Sequence, residues 1–129
     1  MNITIYITTK KILPYINNGL KEYKKRLSRF AKVKIKKVKK IKRVDSNSYN
    51  IKISKSGKLI SSQSLAEKLH NLALKGNSDV SFYITDEQLK VDESVALSKM
   101  DISDQLSLVI LSEQVYRAFT IINNMPYHK

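Results

Sequence analysis

The stretch Asp79-Val-Ser-Phe-Tyr-Ile84 decides the fold class of this chain. It is almost continuously apolar, which is typical of a strand buried on both faces at the centre of a parallel sheet. Alternation of apolar and polar residues predicts further strands over residues 2–8 and 49–54. Residues 32–41 predict a lysine-rich strand, and such charges protect the edge of a sheet from pairing with another chain.

Helical segments separate these strands. Apolar residues at steps of three and four predict one helix that begins at Pro14 and a second over residues 61–76. In the second helix, Ser64 and Glu67 have the spacing of a capping box. The alternation of strands and helices indicates an α/β fold with a largely parallel sheet, and the length of 129 residues indicates one domain over residues 1–129.

The remaining segments have weaker patterns. Ser56-Gly57 predicts a turn, residues 87–95 a short helix and residues 96–102 a short strand. Residues 103–123 predict a long helix with Ser103 as its N-cap. Its apolar residues cover more than one side, so we expect it to pack both on the sheet and against another subunit.

Composition excludes several classes of function. The chain has no cysteine, which excludes a disulfide scaffold and thiol chemistry, and its two histidines argue against a dedicated zinc site, so no metal is expected. Three scattered glycines exclude the phosphate-binding and dinucleotide-binding fingerprints. No apolar run reaches the ~18 residues of a membrane span, and the first residues alternate like a strand rather than a signal peptide. We therefore expect a cytoplasmic protein.

The positive charge is concentrated in one part of the chain. Residues 10–43 carry fifteen Lys and Arg and a single acidic residue, Glu22, whereas residues 44–129 carry nine basic and ten acidic residues. Such asymmetry favours a polyanionic partner, with nucleic acid ahead of an anionic membrane surface. A solvated basic face that serves only solubility is the remaining interpretation.

The C-terminal run Ser112-Glu-Gln-Val-Tyr-Arg-Ala-Phe-Thr-Ile-Ile-Asn-Asn-Met-Pro-Tyr-His-Lys129 closely resembles the end of the RlmH family. These are small SPOUT-class methyltransferases that act on a pseudouridine of bacterial 23S ribosomal RNA. Three other stretches agree with the family: Leu97–Met100, Gly57–Ala66, and the opening strand with the Glu22-Tyr23 and Lys25-Arg26-Leu27 that follow it.

The resemblance implies a fold and a function that the periodicity does not show. The implied fold is a deep α/β trefoil knot with a mostly parallel sheet and helices on both faces, assembled as a homodimer. The implied function is methylation of N3 of the pseudouridine, with S-adenosylmethionine, bound in the knot, as the methyl donor and ribosomal RNA as the partner. No membrane partner is implied.

The resemblance also implies two sets of site residues. The donor-binding set follows the third, fourth and last strands: Ile53, Thr85, Asp86, Leu97, Ser98, Lys99, Met100, Asp101 and Ile102. The catalytic set belongs to the last helix and the tail: Glu113, Arg117, Tyr127, His128 and Lys129. A tyrosine can stack on a base, a histidine can transfer a proton near neutral pH, and the basic residues can hold phosphates.

Some of these residues also have plainer interpretations. Arg117 can simply pair with Glu113 one helical turn away, and a C-terminal His-Lys is often a frayed tail. Asp86 with Glu87 resembles the charge pair found at helix N-termini, although it could act as a general base. His70 has no counterpart in the family motifs, which predicts a surface histidine.

The chain departs from the family pattern in three places. The loop Thr85–Gln88 lacks the glycines of a Gly-Gly-x-x-Gly loop, and Ser103–Leu108 lacks the His and Arg of Pro-His-Gln-x-x-Arg. The region between the second and third strands is about thirty residues shorter, so these strands are predicted to be antiparallel neighbours, or the first strand to pair differently. The changes leave three interpretations: an active methyltransferase, a relic that survives as a dimeric RNA-binding or ribosome-binding protein, and a generic basic domain.

Overall fold

The computed structural model describes residues 1–126 of the chain. Within this range a five-stranded sheet is combined with three helices. The elements, in chain order, are β1 (Asn2–Thr8), α1 (Pro14–Leu27), β2 (Lys32–Val38), β3 (Tyr49–Leu59), α2 (Ser62–Leu74), β4 (Asp79–Ile84), β5 (Glu93–Ala96) and α3 (Asp104–Ile122).

All neighbouring strands are parallel, in the order β2-β1-β4-β3-β5. The central position of β4 and the edge position of the lysine-rich β2 confirm the sequence predictions. The register places Phe82 of β4 between Ile5 of β1 and Ile51 of β3. The prediction that the second and third strands are antiparallel neighbours is wrong, because β1 and β4 lie between them.

One face of the sheet carries the hydrophobic core. Ile3, Ile5 and Ile7 of β1 are fully buried there, together with apolar residues of all three helices. α3 packs against both α1 and α2. The connections β1–α1–β2 and β3–α2–β4 advance in the same direction along the sheet, and right-handed crossovers therefore place both helices on the same face. The expectation of helices on both faces is thus wrong for residues 1–126.

The opposite face of the sheet is polar and is covered by residues 39–48, which we call the crossing segment. This segment carries the chain from β2 across β1 and β4 to β3. The backbone N–H of Asp45 donates to the hydroxyl of Tyr83 at 3.0 Å, and that hydroxyl donates to Asn50 at 2.8 Å. Ser48 and Ser81 are bonded through their hydroxyls at 2.7 Å. These bonds satisfy buried polar groups, so a short segment without a helix closes this face.

Strand β5 and the connection before it differ from prediction. Residues 87–95 form no helix, and the last strand covers Glu93–Ala96 rather than 96–102. The cause is tertiary: Asp92 accepts a hydrogen bond from the backbone N–H of Asn50 at 2.7 Å and returns its own N–H to the Asn50 carbonyl at 2.9 Å. The two hydrogen bonds hold Asp92 in an extended conformation beside β3, and β5 follows directly from it.

Two local predictions along β3 and α2 are also corrected. Ser56-Gly57 lies inside β3, at a shift of register against β5, instead of forming a turn. Such irregularities bend a strand without ending it. The capping box of α2 consists of Ser61 and Ser64, one turn earlier than the predicted Ser64 and Glu67. The long last helix and its Ser103 N-cap are confirmed.

Candidate functional site

A cavity of about 290 Å³ lies at the carboxyl ends of β4 and β5, beside residues 52–55 in the middle of β3. Open parallel sheets bind their ligands at this edge, because the loops that leave adjacent strands converge there. The lining residues are Lys52, Ile53, Ser54, Lys55, Ile84, Thr85, Asp86, Leu97, Ser98, Met100, Asp101, Ile102, Asp104 and Ser107. Eight of the nine residues predicted for donor binding line it, and Lys99 does not.

The loop after β4 is held by hydrogen bonds of the Thr85 side chain. Thr85 is buried, and its hydroxyl accepts a hydrogen bond from the hydroxyl of Thr8 at 2.8 Å and from the backbone N–H of Glu87 at 3.2 Å. The Glu87 carboxylate in turn accepts the backbone N–H of Ile41 at 3.1 Å, in the crossing segment. The hydrogen bonds of the Thr85 and Glu87 side chains therefore fix the conformation of this loop, which contains no glycine.

Carboxylates give the cavity a negative wall. Asp86 is exposed at its rim, and Asp104 is half-buried in the first turn of α3. Burial, followed by repulsion from Asp86, raises the pKa of Asp104 above its usual range. A cation placed between the two carboxylates would relieve this repulsion, so the wall is complementary to a positively charged ligand.

Two lysines of β3, Lys52 and Lys55, also line the cavity. Lys55 and Asp101 form an ion pair at 3.0 Å, which ties β3 to the segment that follows β5. Both side chains are largely exposed, so the pair contributes at most about 1 kcal/mol. Lys52 donates to the backbone carbonyl of Glu87 at 2.7 Å. The lysines therefore tie together the segments that surround the cavity.

The start of α3 closes the cavity, and its position is set by two side chains. Ser103 caps the helix by accepting the N–H of Leu106 at 3.1 Å. Gln105, which matches the glutamine of the family motif, accepts the N–H of Leu13 at 3.1 Å and donates to the carbonyl of Lys11 at 3.0 Å. This glutamine fixes the helix start against the chain between β1 and α1.

The two predicted catalytic residues that the structure describes, Glu113 and Arg117, do not line the cavity. Glu113 and Arg117 form an ion pair at 3.3 Å on α3, and both are half-exposed. At ~1.5 Å per residue, Glu113 stands about 9 Å along the helix from the cavity-lining Ser107. Residues 127–129, the predicted Tyr-His-Lys of the catalytic set, lie outside the described residues. One chain, over residues 1–126, therefore does not bring the two predicted sets together.

The sequence analysis missed several lining residues: Lys52, Ser54, Lys55, Ile84, Asp104 and Ser107. For Asp104 and Ser107 a signal existed, because both follow the predicted N-cap Ser103 on a helix expected beside the donor. The β3 residues had no such signal. The sequence predicts a turn at Ser56-Gly57, whereas β3 continues through these residues. His70 is exposed on α2, as predicted.

Comparison with known proteins identifies the family of the chain. The family described as "Predicted SPOUT methyltransferase" matches residues 1–128. A protein of Thermoanaerobacter sp. (strain X514) named ribosomal RNA large subunit methyltransferase H 1 is 39% identical over 133 residues, with both chains fully covered. This chain belongs to the RlmH family of SPOUT methyltransferases.

The family contains relatives of two lengths. The RlmH proteins of Clostridioides difficile and Ruminiclostridium cellulolyticum are 35% and 38% identical to this chain, over alignments of 159 residues that cover both chains fully. The Thermoanaerobacter alignment needs only 133 residues. The alignments with the longer proteins therefore span about thirty more positions than the 129 residues of this chain, whereas the Thermoanaerobacter alignment spans only four more.

Two further searches concern only the described part of the chain. None of the helices within residues 1–126 combines the length and apolar character needed to cross a bilayer. Within the same range no group of three or more His, Asp and Glu side chains is arranged to hold a metal ion.

Proposed function

We propose that this RlmH protein transfers a methyl group from S-adenosylmethionine to N3 of a pseudouridine in large-subunit ribosomal RNA. The observation that carries the proposal is the cavity at the carboxyl ends of β4 and β5, beside the middle of β3. It gathers eight residues that the family resemblance assigns to the donor, from three separate segments of the chain. A ribosomal substrate also agrees with a cytoplasmic location and with the basic segment over residues 10–43.

The cavity fits the donor in size and in charge. Its volume of about 290 Å³ is close to the lower limit of the range for small-molecule sites, about 300–1,000 Å³. The donor carries a positive sulfonium, and the carboxylates of Asp86 and Asp104 favour that charge over the neutral product left after transfer. Backbone groups of the segment 97–102 can supply the other contacts without glycine.

The acceptor chemistry requires loss of the ring N–H and alignment of the base with the methyl group. The family motif assigns this work to Glu113 and Arg117 together with Tyr127, His128 and Lys129. Tyr127 would stack on the base for about 1–3 kcal/mol, His128 would move the proton, and Arg117 and Lys129 would bind phosphates. Because Glu113 and Arg117 stand away from the cavity of their own chain, a second chain is needed to complete the site.

The outer stripe of α3 supports a homodimer as that second chain. Leu106 and Ile121 are 44% and 42% exposed, although most of this helix is buried between α1 and α2. Glu113 and Arg117 are half-exposed, and helical periodicity places them between those two apolar residues on the same stripe. Association through this stripe would bury the apolar residues and bring the predicted catalytic residues to the interface. The trefoil knot expected for the family belongs to the same proposal.

Donor titration and methylation assays test the enzyme against the alternative, a dimeric RNA-binding or ribosome-binding protein without activity. Wild type should bind S-adenosylmethionine in calorimetry and methylate ribosomes from a strain that lacks the modification. Asp86→Arg should lower donor affinity at least about tenfold, because an attraction of about 1–4 kcal/mol becomes a repulsion. Glu67→Arg, the same charge change on the exposed surface of α2, should leave donor affinity unchanged.

Removal of residues 127–129 separates the two halves of the site. Donor binding should survive the truncation, whereas methylation should disappear. If wild type shows no donor binding at millimolar concentration but still binds ribosomes through the tail, the enzyme proposal fails and the binding-protein alternative stands.

A further inference from the structure

Three lysines of β2 stand in a row on the face of the sheet that has no helix. Lys32, Lys34 and Lys36 alternate with Val33 and Ile35, which pack against the core on the other face. The three lysines are exposed and follow one another at about 6.6 Å, the distance between alternate residues of a strand. We call them the lysine row. A row of cations at fixed spacing is complementary to a chain of phosphates.

The lysine row is not neutralised by acidic side chains of the described residues. Ion pairs within residues 1–126 are made by four other basic residues, namely Arg26, Lys55, Lys68 and Arg117. The Asp79 carboxylate lines the same surface hollow as Lys32 and Lys34, but it accepts a hydrogen bond from Asn2 at 2.9 Å and forms no ion pair with the row. The charge of the row is therefore available to a partner.

The surface of β1 next to the lysine row is formed by polar and aromatic side chains. Thr4 and Tyr6 of β1 are in register with Lys34 and Lys36. The Lys36 ammonium lies 5.7 Å from the centre of the Tyr6 ring, and that ring stacks on Tyr83 of β4 with centroids 5.0 Å apart and an angle of 5°. The cation–π contact holds Lys36 in place before a partner arrives.

The crossing segment supplies a second basic border. It leaves β2 at Val38, crosses to the loop after β4, where Ile41 bonds to Glu87, and then follows β4, where Ser48 bonds to Ser81. The middle of β1 therefore lies between this part of the segment and the lysine row. Its basic side chains are exposed: Lys39, Lys40, Lys42 and Arg43. The result is a shallow surface of β1, polar at its floor and bordered by seven basic residues of β2 and the crossing segment.

We propose that the lysine row and the crossing segment form a docking surface for the phosphate backbone of the ribosomal RNA substrate. This inference rests on the proposed function, because ribosomal RNA is the polyanion that this enzyme must hold. Binding to a lipid surface is less well supported. Peripheral membrane sites combine basic with apolar residues, and none of the large exposed apolar side chains of residues 1–126 lies on β1, β2 or the crossing segment.

Charge removal on each side of the sheet tests the surface. The variant Lys32→Gln/Lys34→Gln/Lys36→Gln removes the row. The matched control Lys21→Gln/Lys24→Gln/Lys25→Gln removes the same charge from the exposed side of α1, on the other face. Binding of each full-length protein to a ribosomal RNA fragment is measured across a salt series. Loss of three phosphate contacts should flatten the log–log slope by about 2–3 and weaken binding, whereas the control should keep the wild-type slope.

A charge-preserving variant and a vesicle assay complete the test. Lys32→Arg/Lys34→Arg/Lys36→Arg should bind RNA like wild type, which separates lost contacts from a damaged strand. An unchanged slope in the glutamine variant assigns the row to edge protection and overturns the inference, and equal losses in the α1 control also overturn it. Loss of binding to phosphatidylserine vesicles without loss of RNA binding assigns the surface to membranes instead.

These outcomes are separate from those of the proposed function. An unchanged RNA slope in a protein that still binds donor and methylates ribosomes refutes the docking surface alone. Conversely, a row variant that loses RNA affinity in a protein whose wild type binds no donor refutes the enzyme and leaves the docking surface standing.

Discussion

Substitution of Gly57 by alanine should destabilise the protein, because the backbone of β5 lies directly against position 57. A β-carbon at position 57 would stand 2.7 Å from the carbonyl carbon and oxygen of Ser94 and from the nitrogen of Val95. Ordinary contacts of carbon with its neighbours fall near 3.5–4.0 Å, so β5 must move by about 1 Å. All three atoms belong to the backbone, and no side chain can rotate away. Overpacking of this kind costs about 1–3 kcal/mol.

Gly19→Ala is the matched control, because the same added methyl group should act in the opposite direction. Gly19 lies inside α1, and its added β-carbon would meet nothing within 4 Å. Replacing glycine by alanine within a helix stabilises it by about 0.5–1 kcal/mol. The two variants should therefore differ by about 1.5–4 kcal/mol in the free energy of unfolding.

Urea unfolding followed by circular dichroism measures this difference at a fixed protein concentration. With a slope of about 2 kcal/mol per molar urea, the two midpoints should lie about 1–2 M apart. Gly57→Ala should also weaken donor binding, because the cavity-lining segment 97–102 follows directly from β5. A Gly57→Ala protein as stable as the Gly19→Ala protein would refute the packing of β3 on β5 described above.

The remaining predictions concern pH and assembly. Because burial and Asp86 raise the pKa of Asp104 in the folded chain, the folded state keeps a proton that the unfolded state has lost. Stability should therefore fall as pH rises from the ordinary pKa of an aspartate to the raised one. Asp104→Asn should lack this decline when urea unfolding is followed upward from about pH 4, the ordinary pKa of an aspartate; parallel profiles for the two proteins would contradict it. In sedimentation the wild type should be a dimer at micromolar concentration, and Ile121→Lys on the outer stripe of α3 should shift it to monomer; a wild-type monomer would remove the composite site.

Much of the fold can be predicted from short-range patterns. The alternation in β1 and the apolar run of β4 predict their burial, because side chains of a strand point to its two faces in turn. The lysines of β2 predict an edge, and Ser103 predicts the start of α3. The tail motif from Ser112 onward predicts the family, which the comparisons confirm.

The elements that the sequence mispredicts depend on contacts between distant residues. Residues 87–95 have helical character in isolation, but Asp92 pairs with Asn50, forty-two positions away, and the chain extends along β3 instead. The glycine at position 57 suggests a turn, whereas its missing side chain makes room for the backbone of β5. In both cases the local sequence is compatible with more than one conformation, and contacts with a distant strand select the one that forms.

The fold class, the burial of β1 and β4, the basic segment and the family can be inferred from the amino-acid sequence alone. The tertiary structure decided the strand order, the placement of all three helices on one face, and the closure of the other face by the crossing segment. It also decided that Asp104 stands beside Asp86, where each carboxylate affects the charge of the other. The physical reason is that periodicity specifies which side of an element is apolar, whereas the neighbour that covers this side depends on the direction in which each crossover advances along the sheet.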